Sequence, residues 1–135
     1  MKNSLVIIPT YNEAENAPKI IDAVLRQSDD VHILIVDDHS PDGTAAKVKS
    51  IIPNSRSRLF ILEREGKQGL GTAYIAGFKW GLERGYDFLI EMDADFSHPP
   101  EKLNTLYEAC SSGKADVAVG SRYTGGGKVN LVSGN

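Results

Sequence analysis

Cysteine is almost missing from this chain. One residue, Cys110, among 135 excludes an internal disulfide framework and a thiolate metal cage. No histidine is placed to make it a nucleophile, so it reads as core. Neither sign of charge is in excess: 18 acidic side chains face 15 basic ones, a net charge of −3, with a pI near 5.6. Without a basic face there is no general attraction to polyanions, which argues against a nucleic-acid partner. With 24% charged residues and no acidic or basic block, the chain does not read as disordered. Long hydrophobic runs are lacking too. Each apolar run stops within a few residues, so none spans a bilayer. Leu5-Val6-Ile7-Ile8 is too short for the apolar part of a secretory signal. These absences predict a cytoplasmic domain of ordinary size, able to bury roughly two-thirds of its unfolded surface.

Apolar runs alternate with segments of helical period from end to end. Leu5–Ile8, Val31–Val36, Leu59–Leu62, Phe88–Ile90 with Met92, and Val117–Val119 read as five strands. Between them, Ala17, Ile20, Ile21, Val24 and Leu25 line one helix face, with Asn12 as its expected cap and Pro18 confined to its first turn. Val48, Ile51 and Ile52 mark a short second helix stopped at Pro53. Ala73, Ala76, Gly77 and Trp80 give a third helix a small, close-packing face, and Leu103, Leu106, Tyr107 and Cys110 stripe a fourth. Strands apolar on both faces with a helix between each pair predict a parallel sheet covered on both sides, in one domain. Thr124–Lys128 reads as a loop, and the residues from Val129 to Asn135 are too few for a domain.

In such sheets ligands bind beyond the carboxyl ends of the strands. Pro9-Thr10-Tyr11-Asn12-Glu13 follows the first strand, and Asp37-Asp38-His39-Ser40-Pro41-Asp42-Gly43-Thr44 follows the second. Asp93-Ala94-Asp95-Phe96-Ser97-His98 follows the fourth, and Gly120-Ser121-Arg122-Tyr123 follows the fifth. Asp37, Asp38, Asp93 and Asp95 thus converge on one edge. Close carboxylates repel unless a cation shares them. A hard divalent ion such as Mg²⁺ or Mn²⁺ takes carboxylate oxygens and bridges to phosphates, which suits a metal-bound nucleotide diphosphate.

A lone Asp-x-Asp is commonly solvated surface, but here it ends an apolar strand at the ligand edge, and Ala94 leaves room for a ligand to meet backbone. Asp38 can accept an N–H from a nucleobase edge, and Asp37 orients either the loop or the metal shell. Ser40 and Asp42 are turn residues in Ser-Pro-Asp-Gly, and Asp42-Gly43-Thr44 starts a helix. Arg122 can clamp a phosphate in bidentate fashion; the bland alternative is a surface ion pair. Lys67 lies in a glycine-rich loop that fails both phosphate-loop patterns, since Gln68 follows it and Tyr74 stands where the dinucleotide pattern wants Gly or Ala. His32, His39 and His98 lack metal-ligand spacing. Phe78 and Trp80 read as packing.

Val6–Glu13 and Val36–Thr44 resemble family 2 glycosyltransferases of the GT-A fold. More narrowly, Gly69–Tyr74, Met92–Pro99 and Gly120–Tyr123 resemble the dolichyl-phosphate mannose synthase, or polyprenyl-phosphate glycosyltransferase, branch. The resemblance implies a Rossmann-like, three-layer α/β/α domain with a mostly parallel sheet. It implies an inverting transfer of a hexose, mannose from GDP-mannose, to a polyprenyl phosphate at the cytoplasmic face of a membrane. By matching position, Pro9, Tyr11, Glu13, Val36 and Asp38 would hold the nucleoside. Asp93, Ala94 and Asp95 would hold the diphosphate and its Mg²⁺ or Mn²⁺. Ser97 stands where some relatives place a glutamine metal ligand, and a serine reaches less far. Asp95 and Arg122 would serve the catalytic step, Arg122 on a donor or acceptor phosphate. Members of that branch continue past Gly-Ser-Arg-Tyr. The resemblance therefore implies that residues 1–135 are the nucleotide-sugar-binding portion of a catalytic domain truncated at its C-terminus, binding donor but transferring poorly alone.

Three other readings compete. A sister enzyme using a UDP-sugar differs only in fine pocket shape. A phosphoacceptor receiver module would carry its acidic pair after the first strand and a lysine after the fifth. A sugar-phosphate nucleotidyltransferase would carry a glycine-rich, basic loop after the first strand, where Pro9–Glu13 has neither glycine nor lysine.

Overall fold

The computed structural model describes residues 3–66, 70–94, 117–120 and 129–133. Strand β1 (Ser4–Thr10) lies at the centre of the sheet. It pairs in parallel with β2 (His32–Asp37) on one side and with β4 (Phe88–Glu91) on the other; β3 (Leu59–Glu63) continues the parallel set beyond β2. The register brings Thr10 beside Asp37 and Ile7 beside Glu91. Successive side chains alternate across the sheet. Val6, Ile8, Ile33, Ile35 and Ile90 therefore pack on one face with helices α1 (Ala17–Leu25) and α2 (Thr44–Ile51). Leu5, Ile7, Leu34, Val36 and Leu89 pack on the other, with α3 (Leu70–Glu83). This is a three-layer α/β/α arrangement.

Helix α3 sits close to the sheet because two glycines let it. A Cβ on Gly77 would overlap Ile7 Cγ2. One on Gly81 would lie 2.7 Å from Leu89 Cδ2 and 3.0 Å from Leu5 Cδ2. Phe78 and Trp80 pack at the margin of that core, as expected. Pro18 occupies the first turn of α1, and Pro53 ends α2 by tightening the chain into a single 3₁₀ turn, Ile52–Asn54. The expected Asn12 cap is corrected: the N-cap of α1 is Asn16, without a side-chain cap bond. Asn12 instead sits earlier, in a left-handed turn at φ 57°.

The strand order is β3-β2-β1-β4-β6-β5. The chain builds outward from β1 through β2 to β3, and then returns across α3 to place β4 on β1's other side. That reversal falls at the carboxyl ends of β1 and β4, the place where doubly wound sheets open a crevice and hold ligands. The sheet is mostly parallel, as the resemblance implied. Strand β6 (Val129–Ser133) inserts antiparallel between β4 and β5 (Val117–Gly120), so the fifth strand does not adjoin the fourth. The fourth helix expected at Leu103–Cys110 lies outside the described residues. Among the described residues, no helix is long and apolar enough to cross a membrane.

The amino edge of the sheet is closed by side chains that meet backbone carbonyls. Arg58 donates to the carbonyls of Leu25, Ser28 and Val31, which ties the end of α1 to the starts of β2 and β3. Asn3 Nδ2 donates to Gly85 O (2.9 Å) and to Asp87 Oδ2 (2.8 Å), fixing the turn before β4. His32 Nδ1 lies 2.6 Å from the Tyr86 hydroxyl, in a group of rings with Phe60 and Trp80.

Candidate functional site

At the carboxyl edge, the loops leaving β1 and β2 are knitted together by side chains that take up backbone N–H groups. Asp37 is almost fully buried. Its Oδ1 accepts from the Thr10 hydroxyl (2.7 Å) and the Ser40 hydroxyl (2.6 Å), and its Oδ2 from the Ser40 N–H (3.0 Å). The Ser40 hydroxyl oxygen in turn accepts the Asn12 N–H at 2.9 Å. One turn further on, Asp42 accepts the Ala14 and Thr44 N–H groups, and Thr44 Oγ1 accepts the Glu13 N–H at 3.1 Å. The bonds from Thr44 and Ala14 hold the Asp42 carboxyl below the usual carboxylate range. Asn12 and His39 both adopt left-handed backbone, at φ 57° and 58°. These are residue types that tolerate it, and such positions recur at functional loops.

Two further carboxylates stand at this edge with defined partners. Asp38, 5% exposed, receives a two-pronged contact from Arg64, Nε to Oδ1 at 2.6 Å and Nη2 to Oδ2 at 2.8 Å. A buried carboxylate is costly unless paired in this way. The same contact raises the pKa of Arg64, keeping it charged. Arg64 also donates through Nη1 to Thr72 Oγ1 at 3.2 Å, at the start of α3. Asp93, just past the end of β4 and half-buried, accepts at Oδ1 from the Tyr74 hydroxyl of α3 at 2.9 Å.

The expected site residues divide as follows. Pro9, Tyr11, Glu13, Asp38, Asp93 and Ala94 all lie at the ends of β1, β2 and β4 that border the crevice. Tyr11 is exposed, Pro9 and Glu13 are half-buried, and Ala94 is buried. Val36 is fully buried in the core under α3, so any ligand contact from it would come from backbone, not side chain. Asp37 spends its oxygens on the loop, as do Ser40 and Asp42. Asp95, Ser97 and Arg122 lie outside the described residues, as do Lys67, His98 and Cys110. Arg64 and Tyr74 were missed by the sequence reading. Arg64 had a usable signal: it is the residue directly after the third strand, at the same edge as the carboxylates.

Oxygen donors of this kind suit a hard divalent ion. Among the described residues, no group of three His, Cys, Asp or Glu side chains gathers to hold one. Asp93 supplies one oriented carboxylate, which fits the first half of an Asp-x-Asp ligand pair.

Comparison with known proteins decides the family. Residues 5–134 match the family described as "Glycosyl transferase family 2". The chain belongs to glycosyl transferase family 2. Within it, the chain is 53% identical over 128 residues to the polyprenol monophosphomannose synthase of Mycolicibacterium smegmatis, covering 95% of this chain and 48% of that protein. It is 50% identical over 125 residues to the undecaprenyl-phosphate mannosyltransferase of Micrococcus luteus, covering 93% of this chain and 50% of that one. The chain thus spans about half the length of these curated relatives. Among solved structures, it resembles a mannosyltransferase from Pyrobaculum calidifontis in complex with GDP-Man and Mn²⁺. That match has a TM-score of 0.78 at 18% identity and covers 96% of this chain and 44% of the other. This family 2 chain therefore has the GT-A fold.

Proposed function

We propose that this chain is the nucleotide-sugar-binding part of an inverting glycosyltransferase that moves mannose from GDP-mannose to a polyprenyl phosphate at the cytoplasmic face of a membrane. The observation that carries the reading is its identity of half or more to two proteins whose names both specify mannose and a polyprenyl acceptor. The geometry supports it, with Asp38 and Asp93 bordering the crevice that opens where the strand order reverses.

Asp38, held by Arg64, offers carboxylate oxygens suited to the N–H groups of a nucleobase edge. Tyr11 and Glu13 lie on the adjoining strand end and complete the nucleoside side. Asp93 and Asp95 would hold a Mg²⁺ or Mn²⁺ ion on the diphosphate, with a minor part for Ser97. When bound, such an ion supplies positive charge to the departing diphosphate. Arg122 would add a phosphate contact. A polyprenyl phosphate is already an anion at neutral pH, so its oxygen needs little help from a general base to attack the anomeric carbon. One phosphate O–C bond forms as the C–O bond to the nucleoside diphosphate breaks, and a single in-line displacement inverts that carbon. The protein's part is to align the two substrates and offset the leaving charge.

Calorimetric titration of the chain with GDP, GDP-mannose, UDP and UDP-glucose, each with and without Mn²⁺, tests the reading. Mn²⁺-dependent binding that favours the guanine nucleotides is the expected result. Preference for UDP would move the donor to a UDP-sugar, and absence of binding to every nucleotide would sink the proposal.

A further inference from the structure

Tyr74 joins the core to the crevice. Its ring packs against the buried set that includes Leu5, Ile7, Val36 and Leu89, while its hydroxyl reaches Asp93 Oδ1 at 2.9 Å. Helix α3 has no room to press closer to the sheet, because Gly77 lies against Ile7 and Gly81 against Leu89 and Leu5. The height of the Tyr74 ring above the sheet is therefore set by core packing, and swinging it away would open the apolar layer. Asp93 is placed differently. It stands beyond Glu91, the last residue of β4, on the crevice side of the strand, where a carboxylate has a soft terminal torsion. A donor fixed by the core selects one orientation of that torsion. Two residues earlier, Thr72 accepts from Arg64, which holds Asp38. The opening turns of α3 thus touch the support of one site carboxylate and bond the other directly.

We propose that Tyr74 is a positioning residue whose hydroxyl orients the Asp93 carboxylate for the divalent ion of the nucleotide diphosphate, so that the seating of α3 on the sheet sets the geometry of the diphosphate site. The inference rests on the donor-site reading above. Partners of this kind behind a metal-ligating carboxylate typically change metal affinity by about 10–100-fold when removed.

Tyr74→Phe keeps the ring and its packing and deletes only the hydroxyl. Free Mn²⁺ is followed by electron paramagnetic resonance while the chain is titrated in the presence of GDP, and GDP affinity without metal is measured by calorimetry. The expected result is a roughly ten-fold rise in the Mn²⁺ concentration for half-saturation. GDP affinity without metal stays at the wild-type level, and the melting temperature falls by no more than about 4 °C, the loss of a single hydrogen bond. In an Asp93→Asn background, Tyr74→Phe should add nothing further. Wild-type Mn²⁺ affinity in Tyr74→Phe, an equal loss with and without metal, or an undiminished effect on top of Asp93→Asn would each overturn the assignment while leaving the donor-site reading in place. A wild-type chain that binds neither GDP nor Mn²⁺ would overturn both.

Discussion

At the amino edge of the sheet a guanidinium meets backbone carbonyls; at the carboxyl edge buried carboxylates meet hydroxyls, amides and one guanidinium. Arg58 and Asn3 serve oxygens of the neighbouring turns: the Leu25, Val31 and Gly85 carbonyls and the Asp87 carboxylate. Asp37 and Asp38 are different, since each brings a charge into the interior that an apolar residue would not. The backbone could be satisfied more cheaply, as the amino edge demonstrates. Among the described residues, the buried carboxylates Asp37 and Asp38 stand together at the carboxyl edge.

Asp38→Ala should show the largest effect and break the contrast at the functional edge. It removes the carboxylate that Arg64, whose side chain is 11% exposed, bonds at two points. Breaking a buried pair from one side costs about 3 kcal/mol. Urea denaturation should show that loss, and calorimetry should show GDP binding abolished. If binding survives at wild-type strength, Asp38 belongs with the merely structural residues of the opposite edge.

Arg58→Ala probes that opposite edge. Losing a cation that serves three carbonyls should cost about 2 kcal/mol in urea denaturation. GDP affinity of the folded variant should stay within about two-fold of wild type, a free-energy change under 0.5 kcal/mol. A large affinity loss would show that the two edges are coupled through the sheet.

The same contrast explains what could be read from the sequence. Local signals were strong wherever period and punctuation agreed: Ala17, Ile20, Ile21 and Val24 are all buried, and Pro18 and Pro53 stand where a helix starts and stops. The carboxylates could be located because any residue just after an apolar strand must lie at one edge of a parallel sheet. Pairing across distance left no such mark. Strand β6 is five residues long and sits against β4, pairing Phe88 with Ser133, and nothing local names that neighbour. Arg64 looks like a solvated charge until its partner, 26 residues earlier, is brought beside it. Tyr74 reads as one more helix residue, because the face it presents depends on how Gly77 and Gly81 seat α3.

Ser40→Ala sharpens the comparison within the carboxyl edge. It removes one donor to Asp37 and the acceptor of the Asn12 N–H. Asn12 is exposed, so water can replace that acceptor, and the stability loss should be about 1 kcal/mol. Tyr11 and Asp38 flank the seam it helps to close, so GDP affinity should fall by about three-fold, or about 0.6 kcal/mol. Loss of stability with unchanged affinity would show that the seam does not govern the nucleoside side.

The smallest effect is expected from protons at the amino edge. Burial, reinforced by the nearby Arg58 charge and opposed by Asp30, pushes the His32 imidazole below its ordinary value of 6.5. Burial also raises the Tyr86 phenol, which stays protonated and can donate to Nδ1 of a neutral imidazole. An imidazolium would have to donate into that phenol oxygen instead. Between the lowered folded value and 6.5, the unfolded chain therefore holds more protons at this position than the folded one. The stability His32 contributes is fully present above 6.5 and is lost as pH falls through the folded value. Urea midpoints measured from pH 7 down to about pH 5 should decline, and His32→Gln should flatten that decline, since glutamine does not titrate. An equal decline in the variant would assign the proton uptake to another group and leave the amino edge indifferent to pH.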